Sequence, residues 1–375
     1  MKVAFVHDRR INPAGAEAVF RDLVQTIPHQ HAHIFCLLST QHTLTIHHKK
    51  YKVVTAFPIW LARFLVWVHA LRIPFLNVLS DYRNTIVILP FLVMLLRWKI
   101  RRYAPDRVVI SSFAGVKNIV PTDATRFPPT MLYLHSPMQY IRENYNEYIE
   151  KLRPRQRWIF VPLARYLRKW DKQPRMYDPI YTNSHYTASC AHKYYNLSSE
   201  VAYPRINHLF LSGEVVETPK EYMVFIGRLV RFVREVDRII LLANATQMPL
   251  LLIGSGPDEG YLKSLAGPTV IFLGQLDDPE TKMDVLRHAR GLINIAKESA
   301  WLATMEALSC GVPVLWYAAG ATPELVWKDG GILVNAKDQV SLLKGRERFT
   351  SKQRDRKQIQ ESFRARYEQT RVEWK

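Results

Sequence analysis

The sequence predicts an α/β protein of two lobes, each built around a doubly wound parallel sheet. Short apolar runs end in polar or glycine-containing turns, amphipathic segments follow them, and the same alternation restarts near residue 205. A chain of 375 residues also exceeds what one hydrophobic core usually organises. We therefore expect a first lobe at 1–204 and a second at 205–350, facing each other across a cleft. A basic C-terminal helix at 351–375 is expected to pack back toward the first lobe.

The first lobe begins with KVAFVHD at residues 2–8, a short apolar run typical of a buried parallel strand. A loop at 9–17 and a segment of helical periodicity at 16–27 complete the first strand–loop–helix unit. Further strands are predicted at 34–39, 107–112 and 131–136, and a strand, turn and helix at 181–195.

The second lobe repeats this pattern. Strands are predicted at 222–228, 249–259, 269–276, 291–296, 312–317 and 330–334, and helices at 234–245 and 302–311. The charged tail at 345–375 carries apolar residues at helical intervals and is predicted to be a surface helix. Ligands of doubly wound sheets bind at the carboxyl ends of the strands, so functional residues are expected in the turns that follow them.

Composition excludes several classes of protein. An apolar share of 48% is too high for a disordered chain, and a mean hydropathy of −0.14 argues against a polytopic membrane protein. Cys36, Cys190 and Cys310 are far apart, as expected of thiols in a reducing compartment. The first residues lack an apolar stretch of signal-peptide length. We therefore expect a cytoplasmic protein.

The positive charge is concentrated in the first lobe. Residues 1–204 contain 28 Lys and Arg against 12 Asp and Glu, whereas residues 205–375 contain 24 against 21. This excess predicts an anionic partner for the first lobe, and nucleic acid, a lipid surface or an acidic substrate would each satisfy it.

Two strongly apolar segments, at 57–79 and 85–102, interrupt the α/β pattern. A transmembrane helix needs about 20 apolar residues, but Arg63 and Arg72 interrupt the first segment and Pro90 the second. The preferred interpretation is a pair of helices that cover the core of the lobe. The alternative is docking at an anionic membrane surface, with aromatic side chains among the headgroups and basic ones on phosphates.

The most informative motif is KESAWLATMEALSCGVPV at 297–314. It places Glu298 in the loop after a predicted strand and Glu306 on the helix that follows. A carboxylate in such a position can accept hydrogen bonds from two neighbouring hydroxyls of a ribose or a sugar. The N–H groups at the start of the helix could also bind phosphate.

Across about 330 residues, several motifs together resemble those of retaining glycosyltransferases of family 4 (group 1), especially the bacterial mannosyltransferase-like members. The matching segments are AGAE (14–17), YLHSPMQY (133–140), TNSHYTA (182–188), VAYPRIN (201–207), FIGRL (225–229), LIGSGPDEGYLK (252–263), the two-glutamate signature at 298–306 and GATPELV (320–326). The resemblance implies the GT-B fold, in which two Rossmann-like lobes face each other across a cleft.

The resemblance also implies residue roles. His135, Glu298 and Arg228 would be catalytic: His135 would hydrogen-bond the donor sugar, Glu298 would bind its hydroxyls, and Arg228 would neutralise the diphosphate. Glu306 would hold the ribose. The remaining donor-binding positions implied are Gly15, Ala16, Gly227, Arg234 and Gly254.

The sequence departs from the family pattern at two places near the expected donor site. The family has a second diphosphate-binding lysine where this chain has Val233, with Arg234 one position later. Ala300 and Trp301 replace a Phe-Gly pair after the first glutamate of the signature.

The resulting expectation is metal-independent, retaining transfer of a hexose, with mannose from GDP-mannose the first choice. The sequence contains no Asp-x-Asp motif, no cofactor is expected, and the donor is expected to be linked to GDP or UDP. Expected partners are a glycan or lipid-linked acceptor and an anionic membrane surface on the inner face of the membrane, and not nucleic acid. Two alternatives remain: a degenerate protein that binds a nucleotide-sugar without turnover, and a polyanion-binding module.

Overall fold

The computed structural model describes residues 1–10, 15–70, 86–123, 125–173, 175–299, 302–327 and 329–370. The chain divides into two compact units, of which the first comprises Met1–Ala202 and the second begins at Tyr203. The division therefore lies two residues before the boundary expected from the sequence.

The described part of the first unit contains an eight-stranded sheet in the order β3-β4-β2-β1-β5-β6-β7-β8. Its strands are β1 (Lys2–Arg10), β2 (His31–Ser39), β3 (Thr43–Ile46), β4 (Lys49–Thr55), β5 (Arg107–Ser112), β6 (Thr130–Leu134), β7 (Ile180–Thr182) and β8 (Glu200–Val201). Its α-helices are α1 (Gly15–Thr26), α2 (Ile59–Ala70), α3 (Leu89–Tyr103), α4 (Tyr145–Lys151), α5 (Pro154–Asp171) and α6 (His185–Tyr195). The strands pair in parallel except for the antiparallel pair β3–β4.

Helices cover both faces of this sheet because side chains alternate along its buried strands. On β2, Phe35 belongs to the same core cluster as Leu96 of α3. Its neighbour Ile34 belongs to the opposite cluster, together with Phe20 and Leu23 of α1. The apolar runs read from the sequence therefore form a sheet that is buried on both sides, as doubly wound architecture requires.

The second unit is built on a six-stranded parallel sheet in the order β11-β10-β9-β12-β13-β14 among the described residues. Its strands are β9 (Met223–Ile226), β10 (Leu250–Ile253), β11 (Val270–Gly274), β12 (Gly291–Asn294), β13 (Val314–Tyr317) and β14 (Gly331–Val334). Its α-helices are α7 (His208–Ser212), α8 (Arg231–Arg234), α9 (Val236–Thr246), α10 (Glu259–Leu265), α11 (Pro279–His288), α12 (Leu302–Ser309), α13 (Thr322–Leu325), α14 (Gln339–Ser351) and α15 (Arg356–Gln369).

The C-terminal tail differs from the single surface helix predicted at 345–375. It forms two helices, α14 and α15, and α15 packs against α12 within the second unit. Phe363 and Tyr367 are buried, and the Tyr367 hydroxyl accepts a 2.8 Å hydrogen bond from the main-chain N–H of Ile206. Val372 and Trp374 lie outside the described residues.

Within the two apolar segments of the first unit, the described residues form α2 and α3, whereas residues 71–79 of the first segment lie outside the described residues. Each of the two helices carries apolar side chains on its buried face and on its exposed face. On α3, Leu92, Leu96 and Ile100 are buried in the core, while Phe91 and Trp98 are 53% and 52% exposed. The preferred interpretation of core-covering helices therefore describes only the inner face. Among the described residues, no helix is long and apolar enough to cross a membrane.

Candidate functional site

In the first unit, polar side chains meet at the point where the strand order reverses. From β1 the chain continues to β2 on one side, and β5, which comes later in the chain, pairs with β1 on the other side. His7 lies on β1 directly opposite Ser111 of β5, and His135 follows β6. Crevices of this kind, at the carboxyl ends of the strands, are where doubly wound sheets bind ligands.

A hydrogen-bonded chain connects these residues. His135 Nε2 is 2.7 Å from Ser111 Oγ, which is 3.1 Å from His7 Nδ1. His7 Nε2 faces the carboxylate of Glu17 on α1, with Nε2 and Oε2 3.7 Å apart. All four side chains are buried. The predicted site residue His135 is therefore held from the interior of the sheet by residues of β1 and β5.

Burial controls the protonation of His135. Loss of water around the ring and, to a smaller extent, the neighbouring His7 lower the pKa of His135 to about 3. The imidazole is therefore neutral at physiological pH. A neutral imidazole offers one N–H donor and one nitrogen acceptor.

Asp8, the residue after His7, fixes the loop that follows β5. Its carboxylate is fully buried and accepts four main-chain hydrogen bonds of 2.7 to 3.0 Å, from Phe113, Ala114, Gly115 and Val116. Four N–H donors compensate the cost of burying this charge and hold the loop in one conformation. Asp8 is thus a structural support directly beside the hydrogen-bonded chain.

The predicted small-residue loop is described only in part. Gly15 and Ala16 form the first residues of α1, and among the described residues a Cβ placed on Gly15 would meet no atom within 4 Å. The start of this helix is therefore open enough for a close backbone contact. Ala14 lies outside the described residues.

In the second unit, the strand order reverses between β9 and β12. Gly227 and Arg228 directly follow β9, and Gly254 directly follows β10. Gly254 has φ +135°, and a Cβ at this position would lie 2.0 Å from the main-chain oxygen of Gly227. Only glycine allows the two turns to approach so closely. The predicted glycines therefore pack the turns that carry Arg228.

Two predicted donor-binding residues form an ion pair in this crevice. Arg234, at the end of α8, donates a hydrogen bond from Nη1 to Glu298 Oε1. Burial lowers the pKa of Arg234 to about 9, and the positive charge of Arg228 acts in the same direction. Arg228, Arg234 and Glu298 are therefore close in space, and the one-residue shift from position 233 does not remove a cation from the site.

The backbone at Glu298 is held by the loop after β13. Its main-chain oxygen accepts a 2.8 Å hydrogen bond from Ala321 N–H and forms a parallel bridge with Gly320. Gly320 has φ +69°, and a Cβ there would lie 2.1 Å from that same oxygen. Glu298 is therefore well positioned, although Ala300 and Trp301 beside it lie outside the described residues.

Glu306 has a different partner. It is 4% exposed on α12, and its Oε2 lies 2.5 Å from Lys282 Nζ on α11. Burial raises the pKa of the Glu306 carboxyl, and Lys282 opposes that rise. The two glutamates of the signature are therefore engaged by different cations, Arg234 for Glu298 and Lys282 for Glu306.

The likeness to known structures establishes the fold. The chain is similar to a sucrose-phosphate synthase from Thermosynechococcus elongatus, with 15% identity, 98% of this chain and 94% of that chain covered, and a TM-score of 0.68. It is also similar to HepE from Anabaena in complex with UDP and glucose (15% identity, 98% and 99% covered, TM-score 0.60). WaaG, a glycosyltransferase involved in lipopolysaccharide biosynthesis, shares 13% identity over 98% of this chain and 95% of WaaG, with a TM-score of 0.63. The two units thus have the GT-B fold.

The sequence match is confined to part of the second unit. Residues 220–349, about a third of the chain, match the family model described as glycosyl transferases group 1. Arg228, Arg234, Glu298 and Glu306 all lie within this match. A search of curated proteins found no match to the chain.

Several site residues were not identified from the sequence. His7, Ser111 and Glu17 support His135, and Lys282 pairs with Glu306. His7 and Ser111 could have been found as polar residues at the ends of predicted strands. In the sequence, nothing distinguishes Lys282 from the other lysines. Its contact with Glu306 becomes visible only in the folded second unit.

Proposed function

We propose that the protein is a retaining glycosyltransferase that transfers a hexose from a nucleotide-sugar to a glycan or lipid-linked glycan without a metal ion. The observation that carries this proposal is the group formed by Arg228, Arg234 and Glu298 at the strand-order reversal of the second unit, with Glu306 on the adjacent α12. A nucleotide-sugar consists of a diphosphate between a ribose and a sugar. The two cations suit the diphosphate, and the two carboxylates suit the hydroxyls of the ribose and the sugar.

The proposed roles follow from charge and position. Breaking the sugar–phosphate bond places negative charge on the departing diphosphate, and Arg228 and Arg234 are the cations that would stabilise it. Glu298 would accept hydrogen bonds from the hydroxyls of the sugar, and Glu306 from those of the ribose. With two guanidinium groups available and no Asp-x-Asp motif in the sequence, the proposed reaction needs no bound metal.

The Arg234–Glu298 pair has a consequence for donor binding. In the absence of donor the two side chains neutralise each other. A bound diphosphate would compete for Arg234 and a sugar hydroxyl for Glu298, so donor binding has to rearrange or share this contact. The departures from the family pattern at Val233 and Trp301 motivate the alternative of a nucleotide-sugar-binding protein without turnover, and a transfer assay decides between the two.

The donor is proposed to be GDP-mannose, with a UDP-linked hexose as the competing choice. The motifs that resemble bacterial mannosyltransferase-like members support the first. The similarity to HepE, whose structures contain UDP and UDP-glucose, supports the second.

A transfer assay tests the reaction. The full chain is incubated with GDP-mannose, UDP-glucose or UDP-galactose and a polyprenyl-diphosphate-linked glycan, and the product is examined by NMR. The expected result is one product whose new glycosidic bond keeps the anomeric configuration of the donor. An inverted product would refute retention, and donor binding without product would favour the non-catalytic alternative.

The acceptor side is proposed to face an anionic membrane on its cytoplasmic side. On α2, Trp60, Phe64 and Trp67 are 70%, 51% and 59% exposed, and α3 exposes Phe91 and Trp98. A solvent-exposed apolar patch of this kind is unusual on a monomeric soluble protein. The excess of 28 basic over 12 acidic residues in 1–204 makes an anionic lipid surface the matching partner.

Vesicle sedimentation tests this partner. The protein should sediment with vesicles of phosphatidylcholine and phosphatidylglycerol, and less with phosphatidylcholine alone. Substituting Trp60→Ser and Trp67→Ser together should reduce the bound fraction. The control Val340→Ser, which removes an apolar side chain from the second unit that is 59% exposed like Trp67, should not. Equal binding by both variants would refute the docking surface.

A further inference from the structure

We propose that Ser111 and His7 are positioning residues that hold His135 in the tautomer protonated on Nδ1, so that the ring offers a hydrogen-bond donor to its ligand. That this ligand is a sugar rests on the proposed function, but the tautomer itself does not. The inference follows from which atoms can donate and which can only accept.

The first step concerns His7. Its Nδ1 is 3.1 Å from the main-chain oxygen of Ser111 and 3.1 Å from the Oγ of the same residue. A carbonyl oxygen can only accept hydrogen bonds. His7 Nδ1 therefore carries a hydrogen, whether the ring is neutral or protonated, and donates it to Ser111.

The second step concerns the hydroxyl of Ser111. This residue is fully buried, so its hydroxyl hydrogen needs an acceptor within the protein. Among the described residues, the two groups that contact Oγ are His7 Nδ1 and His135 Nε2. Because the first is already a donor, the hydroxyl hydrogen must point to His135 Nε2.

The third step assigns His135. Its Nε2 accepts from Ser111 at 2.7 Å and cannot also carry a hydrogen. Burial keeps the ring neutral by lowering its pKa to about 3, so the single ring hydrogen is on Nδ1. Within the described part of the chain, no hydrogen bond occupies this Nδ1. The Nδ1–H is therefore available to an acceptor oxygen of a ligand.

His7 is itself fixed on its other side. Its ring stacks on Phe20 with centroids 4.7 Å apart, and its Nε2 faces Glu17, whose second oxygen is 3.7 Å from Arg21 Nε. These contacts fix the orientation of the His7 ring, so that Nδ1 stays directed at the main-chain oxygen of Ser111. Residues of α1 and β1 thus set the donor-to-acceptor direction of the hydrogen bonds that run from His7 through Ser111 to His135.

Nitrogen NMR of the full chain labelled with ¹⁵N-histidine tests the assignment directly. The spectrum of His135→Asn identifies the His135 signals. The expected result is a protonated Nδ1 and an unprotonated Nε2, whereas a ring protonated on Nε2 would overturn the proposal. Ser111→Ala should release the ring into a mixture of tautomers, and the matched control Ser112→Ala should leave the signals unchanged. If Ser111→Ala does not fold, the wild-type spectrum still decides.

A comparison of two amides links the tautomer to activity. The amide nitrogen of Asn lies near the position of imidazole Nδ1, and that of Gln near Nε2. His135→Asn should therefore retain about tenfold more kcat than His135→Gln at similar KM. Equal activity, or the reverse order, would overturn the donor role of Nδ1. If the wild-type protein shows no transfer with any donor, the proposed function fails while the NMR result still tests the tautomer.

Discussion

Removing the cation beside Glu306 should strongly destabilise the second unit. Lys282→Met keeps an unbranched side chain of similar length but leaves the carboxylate of Glu306, which is 4% exposed, without its partner at 2.5 Å. Breaking a buried pair from one side costs about 3 kcal/mol of unfolding free energy. Lys282 is 21% exposed, so we expect a value at the lower end of the range for such pairs.

The stability lost in Lys282→Met should depend on pH, because the lysine compensates the ionised form of Glu306. Burial raises the pKa of the Glu306 carboxyl above its ordinary value of 4.5, and Lys282 opposes the rise. Without Lys282, the Glu306 carboxyl keeps its proton to higher pH in the folded variant than in the unfolded chain. The variant therefore loses stability as pH rises above about 4.5. The deficit relative to wild type should therefore be largest at pH 7 and small near pH 4.5.

Urea unfolding at both pH values measures this effect. In the background Glu306→Leu the same lysine substitution should cost much less, because no buried carboxylate remains to be compensated. A deficit below about 1 kcal/mol at pH 7, or one that is unchanged in the Glu306→Leu background, would refute the argument.

Three further predictions concern the other supports of the site. Gly254→Ala should abolish nucleotide binding and lower the melting temperature, since Gly254 has φ +135° and the new Cβ would lie 2.0 Å from a main-chain oxygen. The control in the thermal unfolding scan is Gly260→Ala, because the space around its Cβ is open among the described residues. Asp8→Asn should lower the free energy of urea unfolding by about 2 kcal/mol, since a neutral amide replaces a carboxylate that accepts four N–H groups; a loss under 0.5 kcal/mol would count against it. His135 keeps a pKa of about 3 when folded against 6.5 in the unfolded chain, so wild-type stability should fall as pH drops below 6.5. Between pH 8 and 5.5 this residue accounts for about 1.4 kcal/mol, which His135→Asn should remove from the pH dependence measured in urea.

The fold was largely predictable because its sheets are buried on both sides. Continuous apolar strands such as 107–112 leave a clear signal, and the structure has β5 at the same residues. The pair β3–β4 at the edge of the sheet was missed, although TLTI and KKYKVVT alternate polar and apolar residues as strands with one buried face do. The tail forms two helices instead of one, and its buried residue Phe363 stacks on both Tyr367 and Trp327, contacts that helical spacing alone does not reveal.

Site residues that lie in the turn after a predicted strand could be identified from the sequence. His135 directly follows β6 and Arg228 lies two residues after β9, so the structure places both at the carboxyl edge of their sheet. Partners from other elements could not be read in the same way. Ser111 meets His135 through the pairing of β5 with β6, and Lys282 meets Glu306 through the packing of α11 near α12. Local sequence can show Ser111 as a polar residue at the end of a strand, but it does not show which residue pairs with it.

Binding of nucleoside diphosphates by isothermal titration calorimetry tests the central claim most directly. UDP and GDP are titrated into the wild-type protein, into Arg228→Ala, and into the control Arg348→Ala, which removes an exposed arginine from α14 of the same unit. The account predicts that one of the two nucleotides binds, that Arg228→Ala weakens it by about tenfold or more, and that Arg348→Ala has no effect. No binding of either nucleotide, or equal affinity in wild type and Arg228→Ala, would contradict it.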